Sequence, residues 1–157
     1  MQTIADRLAH AQKMIAQTID EAHRPANSVK LLAVSKTKPV SDLRQAYDSG
    51  QRLFGENYVQ EGVEKIEEMQ DLSDIEWHFI GPLQSNKTRL VAAHFDWVQS
   101  VDRLKIAQRL SSQRLANKAP LQLLIQVNID DEQSKSGVTL QEVEALAKGI
   151  SALPNVT

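Results

Sequence analysis

Lys36 is the residue whose setting best suits it to chemistry. It closes the run Leu31-Leu32-Ala33-Val34-Ser35 and is followed by Thr37-Lys38-Pro39. An apolar run without amphipathic spacing predicts a strand buried on both faces, the pattern of a parallel sheet. An ammonium at the end of such a strand loses hydration, which favours the neutral amine. A neutral amine at the mouth of a sheet or barrel is a nucleophile towards aldehydes and ketones. The commoner fate of a lysine there is to snorkel into water. The run alone leaves both readings open.

Other chemistries fit less well. The histidines His10, His23, His78 and His94 lie on different predicted elements, with no H-x-H or H-E-x-x-H spacing for a metal. His78, between Trp77 and Phe79, reads as a core or supporting histidine. No G-x-S-x-G elbow offers a serine nucleophile. Glu56 and Glu61 flank a strand end, but sequence does not set their relative placement. Lys38 and Lys135 are further amines on predicted loops. Either could exchange with an aldehyde or steer an anion, although solvated loop lysines are the commoner case.

These residues must be positioned by alternating strands and helices. Ile4, Leu8, Ala11, Ile15, Ile19 and Ala22 give helical spacing from Thr3 to about His23. After the Leu31–Ser35 strand, Ser41 is a plausible N-cap for a helix that Gly50 ends. The same order then repeats. Strands are expected at Leu53–Asn57, Trp77–Gly81, Trp97–Val101 and Leu121–Asn128. Helices follow them through Val59–Met69, Ser85–His94, Leu104–Leu110 with Asp102 as N-cap, and Val143–Ile150 behind a Thr139/Glu142 capping box. Repeated β-then-α units imply parallel strands. No G-x-G-x-x-G or Walker loop supports a dinucleotide-binding sheet. The expectation is therefore an α/β fold, a partial (β/α)8 TIM barrel of about five β/α units behind an N-terminal helix. In a barrel, function gathers at the strands' C-terminal ends.

The chain has 157 residues, enough for a single domain over 1–157. Its 18 basic and 20 acidic residues give a net charge of -2 without a basic stripe, which argues against nucleic acid or a membrane surface as partner. The absence of cysteine excludes disulfides and thiolate metal sites and fits a cytoplasmic location. No signal peptide is expected, because Asp6, Arg7 and His10 interrupt the N-terminal apolar residues. At the other end, Leu153-Pro154 breaks the last helix and Asn155-Val156-Thr157 reads as the approach to a sixth strand. The expectation is a barrel truncated before that strand, with an open apolar edge that favours dimerisation or partner association.

Four blocks carry a specific resemblance: L-L-A-V-S-K-T-K-P at 31–39, F-G-E-N-Y-V-Q-E at 54–61, W-H-F-I-G-P-L-Q-S-N-K at 77–87 and N-I-D-D-E-Q-S-K-S-G at 128–137. Together they resemble the pyridoxal-phosphate homeostasis proteins, themselves similar to the barrel domain of alanine racemase. The resemblance implies that Lys36 forms a Schiff base with pyridoxal 5'-phosphate and that Asn57 lies beside the cofactor ring. It implies that His78 and the Gly81–Lys87 loop line the same mouth in support, with Lys38 and Lys135 as accessory amines. It also implies a cofactor carrier for vitamin B6 homeostasis, with pyridoxal-phosphate-dependent apoenzymes as recipients and no strong catalysis. An amino-acid racemase is the alternative. Family members continue through further β/α units that supply the phosphate-binding glycines and hydroxyls and an arginine near the pyridine nitrogen. None of those residues has an equivalent in this chain.

Overall fold

Half-buried Ile4, Leu8, Ala11, Ile15 and Ile19 form one stripe along helix α1, Ile4–Glu21, in the computed structural model, which describes residues 1–157. Thr3 and Asp6 close its N-terminus as a reciprocal capping box, and Ala22 lies exposed past its end. The five β/α units follow: β1 Ala33–Val34 and α2 Val40–Asp48, then β2 Leu53–Glu56 and α3 Val59–Glu68. Next come β3 Glu76–Phe79, a 3-10 turn Ser85–Lys87 with α4 Thr88–His94, β4 Trp97–Val101 and α5 Leu104–Gln113. The last unit is β5 Gln122–Ile125 with α6 Val143–Ser151.

All neighbouring strands are parallel, in the order β1-β2-β3-β4-β5. This order separates the two parallel architectures. A doubly wound sheet reverses direction at a switch point, whereas unbroken sequential order with right-handed crossovers puts every helix on the same face. The sheet is a sector of a (β/α)8 barrel. No helix is long and apolar enough to cross a membrane.

The core fills the space between the sheet's outer face and the helices. Phe54, Trp77, Phe79, Val98 and Leu121 project outwards from the strands onto Phe95, Ile106 and Leu110. Phe79 meets Phe95 edge-on, with centroids 5.4 Å apart and planes at 77°. The inner face is less covered: Val34 is 54% exposed and Leu124 is 44% exposed.

Several expectations change. The first strand is shorter than Leu31–Ser35 and is not buried on both faces. It is an edge strand bonded only to β2, so its inner face meets solvent at Val34. Pro39, not Ser41, occupies the N-cap of α2, while Gly50 does end that unit with φ of 98°. Asp102 does not cap α5, whose N-cap is Arg103. Its carboxylate instead accepts the Gly137 N–H at 3.1 Å. The fifth strand stops at Ile125, because Val127 pairs with Val138 in a local return. The expected Thr139/Glu142 box is present, with one Glu142 oxygen accepting both the Thr139 N–H and its hydroxyl. Val156 bridges Leu121 in parallel, as a sixth strand would.

Candidate functional site

Register brings two of the five singled-out residues together. Val34 pairs with Gly55, and the Ser35 N–H continues the ladder to the Gly55 carbonyl at 2.9 Å. Lys36 and Asn57 follow the ends of these adjacent strands, where the same register carried two positions further would place them side by side. The Ser35 hydroxyl bonds Glu56 on the helix side of the sheet, so alternation puts Lys36 and Asn57 on the inner face, at the strands' C-terminal ends. The loop after β3 closes over this point. A Cβ on Gly81 would lie 2.1 Å from the Asn57 carbonyl oxygen, so only glycine lets the loop pack there.

Lys36 is exposed, and its ammonium has no hydrogen-bond or ion-pair partner. The burial expected of Lys36 is therefore not found, because β1 is an edge strand; the buried lysine nearby belongs to the second unit. Lys65, on α3, is 5% exposed and donates to the Ser35 carbonyl at 2.7 Å, Glu56 Oε1 at 2.6 Å and Glu61 Oε1 at 2.7 Å. Those bonds use all three donors of the ammonium. Glu56 is fully buried and also accepts the Ser35 hydroxyl at 3.0 Å, while its Oε2 has no partner. Burial pushes the Glu56 carboxyl above its ordinary range, against the pull of Lys65 and Ser35. Burial acts the same way on Glu61, but bonds from Lys65 and the Thr37 N–H outweigh it and hold that carboxyl low. Sequence reasoning noted Glu56 and Glu61 and missed Lys65. The available signal was its helical spacing, three residues after buried Gly62 and four before buried Met69.

His78 sits lower on the inner face, in register with Gly55 on one side and Trp97 on the other. It is 5% exposed and stacks on Trp97 with centroids 5.3 Å apart and planes 8° from parallel. Its Nε2 lies 2.8 Å from Glu76 Oε1 and its Nδ1 lies 2.9 Å from Gln99 Nε2. The neutral tautomer protonated on Nε2 satisfies both, donating to Glu76 and accepting from the amide. Burial holds the imidazole below its ordinary value, only partly offset by Glu76. With both nitrogens engaged by side chains, His78 braces the floor beneath the mouth.

Lys38 is exposed in the same turn as Lys36, its N–H bonded to the Ser35 carbonyl at 3.2 Å. Lys135 is exposed at the same end of the sheet but beyond its opposite edge. Its loop is clipped by Asn128, which exchanges bonds with Glu132, and by the Asp102–Gly137 bond. Gly137 has φ of 119°, and a Cβ there would lie 2.8 Å from the Asn128 nitrogen. A cleft of about 640 Å³ lies at the other end, between α1 and the N-terminal end of β2. Tyr47 is also at that end, bonded to Asp74 at 2.6 Å with the Arg52 guanidinium 3.7 Å over its ring.

The donor set fits the aldehyde end of a carbonyl cofactor. An unpartnered primary amine and a neutral amide share one strand-end face, and the nearby carboxylates of Glu56 and Glu61 are turned to the helix side around Lys65.

Comparison with known proteins gives consistent matches. The model described as "Alanine racemase, N-terminal domain" matches residues 5–157. The pyridoxal phosphate homeostasis protein of Pasteurella multocida is 59% identical over 98% of this chain and 66% of its own length. That of Haemophilus influenzae is 58% identical over 95% of this chain and 65% of its own. The chain thus spans about two thirds of the length of these curated relatives. Among solved structures, PipY of Synechococcus elongatus PCC7942, described as having PLP bound, aligns with a TM-score of 0.80 and 37% identity. That alignment covers 99% of this chain and 67% of PipY.

Proposed function

The chain belongs to the alanine racemase N-terminal domain family, and on that premise we propose that it binds pyridoxal 5'-phosphate as a Schiff base on Lys36 and serves intracellular vitamin B6 homeostasis. The observation that carries the proposal is that Lys36, exposed and without a side-chain partner, follows the C-terminal end of β1 as Asn57 follows that of the adjacent β2. The names of relatives at 59% and 58% identity, and the PLP in the PipY structure, support it.

The cofactor supplies an electrophilic aldehyde. Lys36 would hold that aldehyde as a reversible Schiff base, its primary amine being the nucleophile and water the group lost. Asn57 offers neutral hydrogen bonds beside that amine, and His78 holds the inner face beneath. Lys38 and Lys135 are accessory amines at the same end. The reading places the protein in the cytoplasm, with apoenzymes as recipients and self-association through the open sheet edge.

A racemase is the competing reading, and it requires a second acid/base group across the cofactor ring. Tyr47 is engaged by Asp74 and Arg52 at the far end of the strands, and Tyr58 sits exposed at the N-cap of α3. That placement favours the carrier. The test is to load the protein with pyridoxal phosphate, remove the excess and add an apoenzyme that depends on it. Recovery of the apoenzyme's activity, with no alanine racemisation by the loaded protein alone, is expected. Racemisation above background would overturn the carrier reading.

A further inference from the structure

The Glu56–Lys65–Glu61 cluster lies outside the mouth, yet its bonds converge on the backbone around one residue. Lys65 holds the carbonyl of Ser35, the residue before Lys36. Glu61 accepts the N–H of Thr37, the residue after it. Glu56 accepts the Ser35 hydroxyl. The Ser35 carbonyl also accepts the Lys38 N–H, closing a turn with Lys36 at its shoulder. Within that turn Thr37 has φ of 60°, an unfavourable conformation for a β-branched residue. Such backbone strain persists only where surrounding bonds over-determine it.

Stability alone is a weak account of this cluster. A buried ion pair is roughly neutral against well-packed apolar residues, because desolvation offsets the Coulombic gain. Here two carboxylates share one ammonium, and one Glu56 oxygen is left without a partner. Apolar side chains at both 56 and 65 would join α3 to the sheet without these costs. They could not grip the Ser35 carbonyl, nor could an apolar residue at 61 hold the Thr37 N–H.

We infer that Lys65 and Glu61, with Glu56 behind them, are positioning residues that fix the Ser35–Lys38 turn and so aim the Lys36 amine into the mouth. The inference rests on the reading of Lys36 as the amine that takes the aldehyde. Through the turn, α3 sets the direction of a side chain just past the end of β1. A loose turn would present Lys36 and Lys38 to an incoming aldehyde on similar terms; a fixed one selects Lys36.

The test uses Glu61→Ala and Glu61→Gln, since Glu61 is only partly buried and its replacement spares the Lys65–Glu56 pair. The first readout needs no cofactor: amide hydrogen exchange at Thr37. Protection is expected in the parent and in Glu61→Gln, whose amide oxygen still accepts the N–H, and loss of protection in Glu61→Ala. The second readout is the rate of borohydride-trapped pyridoxal phosphate on Lys36 relative to Lys38. A fall of about tenfold in that ratio is expected for Glu61→Ala, as for a modestly misaimed nucleophile, with recovery in Glu61→Gln. Unchanged Thr37 protection in Glu61→Ala, or an unchanged ratio, overturns the inference. If the parent itself takes no label on Lys36, the binding proposal fails; the exchange readout then still decides whether Glu61 holds the turn.

Discussion

At the scale of single residues, the chemistry divides between an exposed lysine that can react and a buried one that cannot. The apolar run drew attention to Lys36 but implied a burial that the edge strand does not provide; its proposed role rests on the resemblance of the surrounding motif. Lys65 was legible only as a position on the inward stripe of its helix, not as a partner of Glu56. A lysine four residues after a glutamate reads as a surface pair, and only the fold turns that face onto Glu56. Lys65→Met should lower stability by about 3–5 kcal/mol, measured by urea unfolding, because it strands the Glu56 carboxylate without its counter-charge. Double replacement with Glu56→Leu should recover most of that loss. His78 gives a pH signature. Its folded-state pKa lies below that of the unfolded chain, so the unfolded state takes the proton first. Its contribution is therefore complete above about pH 6.5 and declines as the pH falls below that value. Between pH 7.5 and 5.5, chosen as roughly one unit either side of an ordinary histidine, the urea midpoint should fall more steeply in the parent than in His78→Gln. Equal slopes would mean that the imidazole does not enter folding as a neutral group.

At the scale of elements, the order of strands and helices was readable because each apolar run is punctuated by turn residues and each helix shows a half-buried stripe. Strand ends were not, because they are set by pairing. β1 is cut to Ala33–Val34 by having one neighbour, and β5 ends where Val127 turns to pair with Val138. The capping role expected of Asp102 failed for a similar reason: a residue 35 positions away claims its carboxylate. That bond ties the Lys135 loop to the end of β4. Gly81 belongs to this scale too. Gly81→Ala would drive a Cβ into the Asn57 carbonyl and force β2 and the following loop apart at the mouth. The expected outcome is weaker pyridoxal phosphate binding by about tenfold or more, read by absorbance titration, as misplacement of a site predicts. Binding at the parent's affinity would remove Asn57 and its loop from the site.

At the scale of the whole molecule, five parallel strands in sequential order form a barrel sector whose helices lie on one face and whose inner face carries exposed Val34 and Leu124. Sequence supported the barrel over a doubly wound sheet only through missing glycine motifs; strand order decides it positively. The cleft between α1 and β2 lies at the end of the strands opposite Lys36. The proposed site lies at the end away from that cleft, where Lys36 has no side-chain partner and Asn57 is near. The central claim is that the fold selects one amine among many. Incubating the protein with pyridoxal phosphate, reducing with borohydride and mapping the labelled peptides tests it most directly. The account predicts that label concentrates on Lys36 and that Lys36→Ala loses most of it. Label spread evenly over Lys38, Lys135 and surface lysines, or none at all, would contradict it.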